Sequence, residues 1–301
     1  MKKTTIAIIV LALVVLAGLG FYFFNQSSQN TPQTQNQEDS TGTTTNEGNT
    51  EVVTGPKSVI GKSVEGRDIE AYTYGTGFNH LLFVGGIHGG YSWNTASVAY
   101  ELVDYLEKST STLPADLKVT VIPVLNPDGL YKVVDTTGRF AKAQVPSSES
   151  LRVSGRFNAN QVDLNRNFDC DWRSDATWQD KAVSGGTAAF SEPEAKAFKN
   201  YVETNKPDAV VVWYSAVGGV FASNCHEGVL PETLEITNVF ANASGYKAYG
   251  EFNFYEITGD MVNWLAKIKI PATSVLLTTH EDIEWEKNLK GIQALFAHYS
   301  K

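Results

Sequence analysis

The sequence predicts an α/β protein, with a mixed, mostly parallel twisted sheet flanked by helices on both faces. Three observations carry this. Four apolar runs, Leu81–Ile87, Val119–Leu125, Ala209–Trp213 and Ala272–Leu277, lack polar alternation, as expected of strands buried on both faces. Segments of helical periodicity lie between them. Each run ends in a polar or glycine-rich segment, where ligands of such sheets usually bind.

The 301-residue chain does not start with this pattern. Lys2 and Lys3 precede an unbroken apolar run, Ile6 to Phe24, just long enough to span a bilayer's hydrocarbon core. The lysines favour a cytoplasmic N-terminus with the rest exported. Residues 1–24 therefore read as a cytoplasmic start and an uncleaved transmembrane signal anchor. A cleaved signal peptide is the rival, although Phe21, Tyr22, Phe23 and Phe24 occupy the place of a small-residue cleavage site. Residues 25–55 are Ser, Thr, Asn, Gln and Gly with few apolar side chains. They cannot bury enough surface to offset their ordering entropy, so they read as a disordered polar tether. Residues 56–301 form the folded domain, on the extracytoplasmic side of a single-pass membrane protein. The net charge of −9 argues against a nucleic-acid partner.

Within the domain, Lys57 to Tyr74 reads as a hairpin turning at Glu65-Gly66-Arg67. The Leu81–Ile87 strand runs into His88-Gly89-Gly90. Trp93 to Lys108 comes next, with Val98, Leu102, Val103, Tyr105 and Leu106 at helical spacing. The second strand ends in Asn126-Pro127-Asp128-Gly129, a turn signal. Ser191-Glu192-Pro193-Glu194 should open a helix, with Ser191 as its cap and proline in the first turn. Helices are expected over Pro231–Ala243, Gly259–Ala266 and Ile283–Tyr299. The strand ends at His88–Asn94, Asn126–Gly129, Tyr214–Gly219 and Thr278–Glu281 should share one rim with Gly155–Phe168.

That last stretch holds two arginines, four asparagines and an aspartate. It cannot be a core strand, because a core would leave its polar groups unpaired. It fits a polar pocket wall, in which Arg166 offers a planar fork for a carboxylate and Asn165 a donor beside it. Arg156 could hold a second anion or an oxyanion. A solvated loop is the plainer alternative.

Five pieces in order resemble the zinc carboxypeptidases, the carboxypeptidase A-type family. They are Gly86-Ile87-His88, Pro123 to Gly129, Asp163-Leu164-Asn165-Arg166-Asn167-Phe168, Ser191 to Glu194, and Tyr255 with Gly259 and Asn263-Trp264 after it. The likeness covers about 58–299. It implies a site of two histidines and a glutamate on zinc, with water in the open position and a glutamate base. It also implies an oxyanion arginine and an Asn-Arg-Tyr clamp on the substrate's terminal carboxylate.

Transferred by position, His88 matches the first zinc histidine and Arg156 the oxyanion arginine. Asn165, Arg166 and Tyr255 match the carboxylate clamp. The other positions differ. Tyr91 and Ser92 stand where the glutamate ligand belongs, Tyr214 where the second histidine belongs, and Leu276 at the general base. One imidazole does not hold zinc, and the loss of a base alone costs roughly 10²–10⁴ in rate.

The expectation is a catalytically degenerate domain that binds the C-terminus of a peptide or a peptidoglycan stem peptide, with no cofactor. The alternative is an active zinc metallocarboxypeptidase with an unrecognised metal site. The pairs His226-Glu227 and His280-Glu281 are candidates for such a site, against an ordinary reading as solvated loops. A purely structural surface protein is a third possibility. Ser92 and Ser215 lack a Gly-x-Ser-x-Gly elbow, so a serine hydrolase is not indicated. Cys170 and Cys225 favour a disulfide in an exported domain, closing a loop of about fifty residues. Free buried thiols are the alternative.

Overall fold

A computed structural model describes residues 56–109 and 113–300. The expected anchor and tether fall on residues 1–55 and lie outside the described residues. Among the described residues, no helix is long and apolar enough to cross a membrane.

The chain forms β1 (Lys57–Lys62), β2 (Asp68–Tyr74), β3 (Asn79–Val84), α1 (Trp93–Ser109), β4 (Leu117–Ile122), α2 (Pro127–Val134) and α3 (Glu149–Ser154). A hairpin of β5 (Asp175–Trp178) and β6 (Lys181–Ser184) comes next, then α4 (Pro193–Asn205), β7 (Ala209–Ser215) and β8 (Gly219–Ala222). The remainder is α5 (Pro231–Ser244), β9 (Ala248–Tyr249), α6 (Met261–Lys267), β10 (Ala272–Leu277) and α7 (Trp285–Tyr299). Eight strands make one sheet in the order β1-β2-β4-β3-β7-β10-β8-β9. Its centre, β4-β3-β7-β10, is parallel. The edges add antiparallel pairs.

Successive strand residues point to opposite faces, and both faces are covered. Val210, Val212 and Tyr214 pack on one side with Phe198 and Val202 of α4 and with Met261 and Leu265 of α6. Val211 and Trp213 pack on the other with Leu102 of α1, Phe240 of α5 and Leu295 of α7. The mixed α/β sheet between helices is therefore as the sequence predicts.

Two local expectations need correction. Asn126-Pro127-Asp128-Gly129 is not a free turn but the start of α2. Asn126 is the cap, its Oδ1 accepting from the Gly129 amide at 2.9 Å, and Pro127 sits where no amide hydrogen is needed. Ser191 does not cap α4. Glu192 is the residue before the helix, and Ser191 Oγ donates to its Oε1 at 2.7 Å. Cys170 and Cys225 are joined as a disulfide across 55 positions.

Candidate functional site

The C-terminal ends of β3, β7 and β10 open onto one pocket of about 350 Å³. Sequence register explains what meets there. Leu276 of β10 pairs with Tyr214 of β7, so the two face the pocket side by side. His88 arrives from the turn after β3, and its ring lies 5.6 Å from that of Tyr214. Arg156, Asn165, Arg166, Tyr255 and His280 line the same pocket. Of the four rim segments expected from the sequence, three reach it. Asn126–Gly129 does not. Asp128 instead accepts from Ser63 Oγ at 2.6 Å and pairs with Arg67 at 2.7 Å, on a separate surface cleft.

Arg166 is nearly fully buried, yet it borders the pocket. Its Nε donates to the Thr177 carbonyl at 2.8 Å, and Nη1 to the Asn165 carbonyl at 2.7 Å. A guanidinium has five donors in a fixed fork, so three stay uncommitted by these bonds. Asn165 is more engaged than its motif suggests. Its Oδ1 accepts from the Tyr214 hydroxyl and the Met261 amide, each at 3.2 Å. Its Nδ2 donates to Asp260 at 2.7 Å. One Nδ2 hydrogen is left for a ligand.

Arg156 donates from Nε to Asp163 at 2.8 Å, and its guanidinium lies 4.2 Å over the Trp178 ring. Asp163 has no solvent exposure. Burial raises its pKa, but Arg156 and Arg166 outweigh burial and hold it below the usual carboxylate range. Tyr255 is partly exposed at the mouth and packs edge-on against Phe252, 5.0 Å between ring centres.

Zinc, if present, would lie among His88, Ser92 and Tyr214, and the donors found there do not fit it. His88 is buried and neither ring nitrogen has a hydrogen-bond partner; Ser92 Oγ is likewise buried without one. The nearest carboxylate oxygen to His88, on Asp163, is 3.8 Å from Nε2. Burial, with the charge of Arg156, pushes the His88 pKa well below its ordinary value. Tyr214 cannot serve as a phenolate, because burial and then Asp260 push its pKa well above the phenol range. Its hydroxyl hydrogen is already donated to Asn165. Leu276 belongs to the hydrophobic cluster beneath. A catalytic zinc site uses three protein ligands, and this arrangement supplies one imidazole.

The rival pairs do not rebuild such a site. His280 Nδ1 lies 2.9 Å from Ser215 Oγ, while Glu281 turns to Arg152 at 2.5 Å. His226 is exposed and pairs with Asp171 at 2.6 Å. Among the described residues, one group of potential metal donors lies together, Cys170, Cys225 and His226, within 4.8 Å of one another. Its two sulfurs are joined to each other and are not the thiolates that bind metals.

Asp163 and Asp260 belong to the site without a role expected from the sequence, and Trp178, one of three tryptophans that the sequence offers as pocket lining or core packing, lines the pocket. Asp163 opens the motif that runs to Phe168, and its position there was the one available signal. Asp260 precedes a short helix and resembles an ordinary cap. Trp178 lies on a hairpin that the sequence pattern does not indicate.

A family model described as "Zinc carboxypeptidase" matches residues 55–267. A zinc carboxypeptidase of Simulium vittatum is 31% identical over 156 residues, 49% of this chain and 49% of that protein. The catalytic chain of Homo sapiens carboxypeptidase N is 30% identical over 57% of this chain and 37% of its own length. The chain thus spans about half or less of these curated relatives. Murein peptide amidase A of Vibrio campbellii is 27% identical over 72% of this chain and 77% of its own. Among solved structures, carboxypeptidase A of Helicoverpa armigera superposes with a TM-score of 0.64 at 19% identity, covering 81% of this chain and 68% of that one. The murein-tripeptide amidase of Escherichia coli O157 gives 0.54 at 19% identity over 81% and 92%. With the family model covering most of the folded domain, the chain belongs to the zinc carboxypeptidase family.

Proposed function

We propose that this protein holds the free C-terminal carboxylate of a peptide, including a peptidoglycan stem peptide, and does not hydrolyse it. The observation that carries this is the contrast inside one pocket. Arg166 keeps uncommitted donors toward the pocket, while Tyr214 and Leu276 occupy the ligand and base positions as a paired, packed unit. A buried guanidinium beside a carboxylate makes a strong, charge-assisted contact. A phenol that keeps its proton and an aliphatic chain cannot activate water. Arg166 is the main anion contact, Asn165 adds one N–H, and Tyr255 closes over the mouth. Arg156 sits at the oxyanion position, held by Asp163. The peptide class is supported by the murein peptide amidase relatives. On this reading the domain works outside the cytoplasm, on the tether of residues 25–55 and the anchor of residues 1–24.

Calorimetry with two tripeptides of the same sequence, one with a free and one with an amidated C-terminus, tests it. The free acid should bind at least about 30-fold tighter, since truncating one partner of a buried charge pair costs about 2–5 kcal/mol. Equal affinities end the proposal. Metal analysis of the same sample separates the alternative: stoichiometric zinc, with amino-acid release that a chelator stops, would restore the protein to the working peptidases.

A further inference from the structure

His280 presents a bare ring nitrogen to the pocket, and a chain of hydrogen bonds behind it decides which one. Asn94 is fully buried. Its Nδ2 donates to the carbonyls of Thr279 and Asp282, at 2.8 and 2.9 Å. Both amide hydrogens are thereby used, and Oδ1 can only accept. Ser215 Oγ lies 3.1 Å from that oxygen. A buried carbonyl oxygen left unpaired is costly, so the one hydroxyl hydrogen of Ser215 goes to Asn94. The same Oγ is 2.9 Å from His280 Nδ1. With its hydrogen spent it can only accept there, so Nδ1 carries a proton. Burial, then the charges of Arg152 and Arg156, lower the His280 pKa against the pull of Glu281, and the ring is neutral at neutral pH. A neutral imidazole protonated on Nδ1 keeps a lone pair on Nε2. Among the described residues Nε2 has no hydrogen-bond partner, and it is not sealed from solvent.

His280 lines the same pocket as Arg156 and Arg166, and the Tyr91 ring, 4.6 Å away, packs against its imidazole. Two guanidinium groups suit a carboxylate and peptide carbonyls, but they answer none of a peptide's N–H groups. An acceptor fixed by a buried chain does. We infer that His280 Nε2 accepts a main-chain N–H of the bound ligand, so that the pocket selects peptides over carboxylates whose backbone lacks that N–H. This rests on the carboxylate-capture reading above: Arg166 holds the terminal carboxylate, and His280 positions the backbone that leads to it.

The test is calorimetry on the full chain at neutral pH with Ala-Ala-Ala, its C-terminal amide, and its two single-ester analogues, in each of which one backbone N–H is replaced by oxygen. The parent should bind the tripeptide about 10-fold tighter than at least one of the esters, the scale of one hydrogen bond whose acceptor is otherwise left unpaired. In His280→Asn the amide nitrogen stands near the place of Nδ1 and keeps the bond to Ser215, with nothing at Nε2. That variant should discriminate the ester by no more than about 2-fold, while it still prefers the free acid to the amide. Nitrogen-15 NMR of the His280 ring should find the proton on Nδ1 and a bare Nε2. Equal affinity of the parent for the tripeptide and both esters, discrimination that persists in His280→Asn, or a proton on Nε2 overturns this inference alone. No preference for the free acid over the amide in the parent overturns the carboxylate-capture reading, and this inference with it.

Discussion

Replacing His88 with leucine should stabilise the protein. The imidazole is buried, and both nitrogens lack hydrogen-bond partners. A neutral imidazole carries one donor and one acceptor, and each buried group left unpaired costs about 1–3 kcal/mol. Asp163 offers weak compensation at 3.8 Å, beyond hydrogen-bond range. Leucine is apolar and of comparable size, so it removes both orphaned groups. The change of shape against the Tyr214 ring, 5.6 Å away, opposes this by roughly 1–1.5 kcal/mol. A net gain of about 0.5–5 kcal/mol remains. Urea unfolding at neutral pH reads it as a higher midpoint at unchanged slope. In a protein that keeps a metal on His88, the same substitution would remove a ligand and lower stability. A loss of more than about 1 kcal/mol, the ordinary cost of a random core change, would refute the reasoning.

Two further outcomes concern the scaffold. Burial, with the charge of Lys118, lowers the pKa of His80 to about 4, against about 6.5 when free. The unfolded chain therefore binds a proton that the folded chain refuses. Stability is complete above about pH 6.5 and falls as pH drops toward 4, by about 3 kcal/mol in all. Unfolding of His80→Gln beside the parent at pH 7, 5 and 4 isolates this share, and parallel pH profiles would refute it. Replacing both Cys170 and Cys225, 55 positions apart, with serine should cost about 4 kcal/mol by loop entropy. Reductant should lower the parent's urea midpoint and leave the variant's unchanged.

The four central strands were legible because each is a continuous apolar run, and burial on both faces leaves no other pattern. β8 and β9 were not, being four and two residues long. They are held by neighbours in the sheet rather than by their own sequence. Asn126-Pro127-Asp128-Gly129 misled because the same residue types start turns and helices. Leu130, Val133 and Val134, buried on one side of α2, decide for the helix. The polar stretch from Gly155 was legible as a pocket wall, and the structure brings Arg156, Asn165 and Arg166 together with His88 and Tyr255. The internal engagement of Asn165 was not legible. Its partners, Tyr214 and Asp260, lie 49 and 95 positions away, and no local pattern encodes such a contact.

The changed positions of the site act together. Tyr214 and Leu276 are register partners on adjacent parallel strands, so an apolar chain at one favours a bulky neighbour at the other. Both join the cluster under the sheet, which extends the core to the pocket floor. The Tyr214 hydroxyl then reaches Asn165, whose amide turns its hydrogen toward Asp260. On the proposed reading, the position of the missing second histidine is therefore tied to the carboxylate-holding end through one hydrogen-bonded chain, Tyr214 to Asn165 to Asp260. A buried, satisfied chain of this kind fixes the orientation of each member. It leaves Arg166, with donors uncommitted by its bonds to Thr177 and Asn165, as the chief free donor for a carboxylate on the proposed reading.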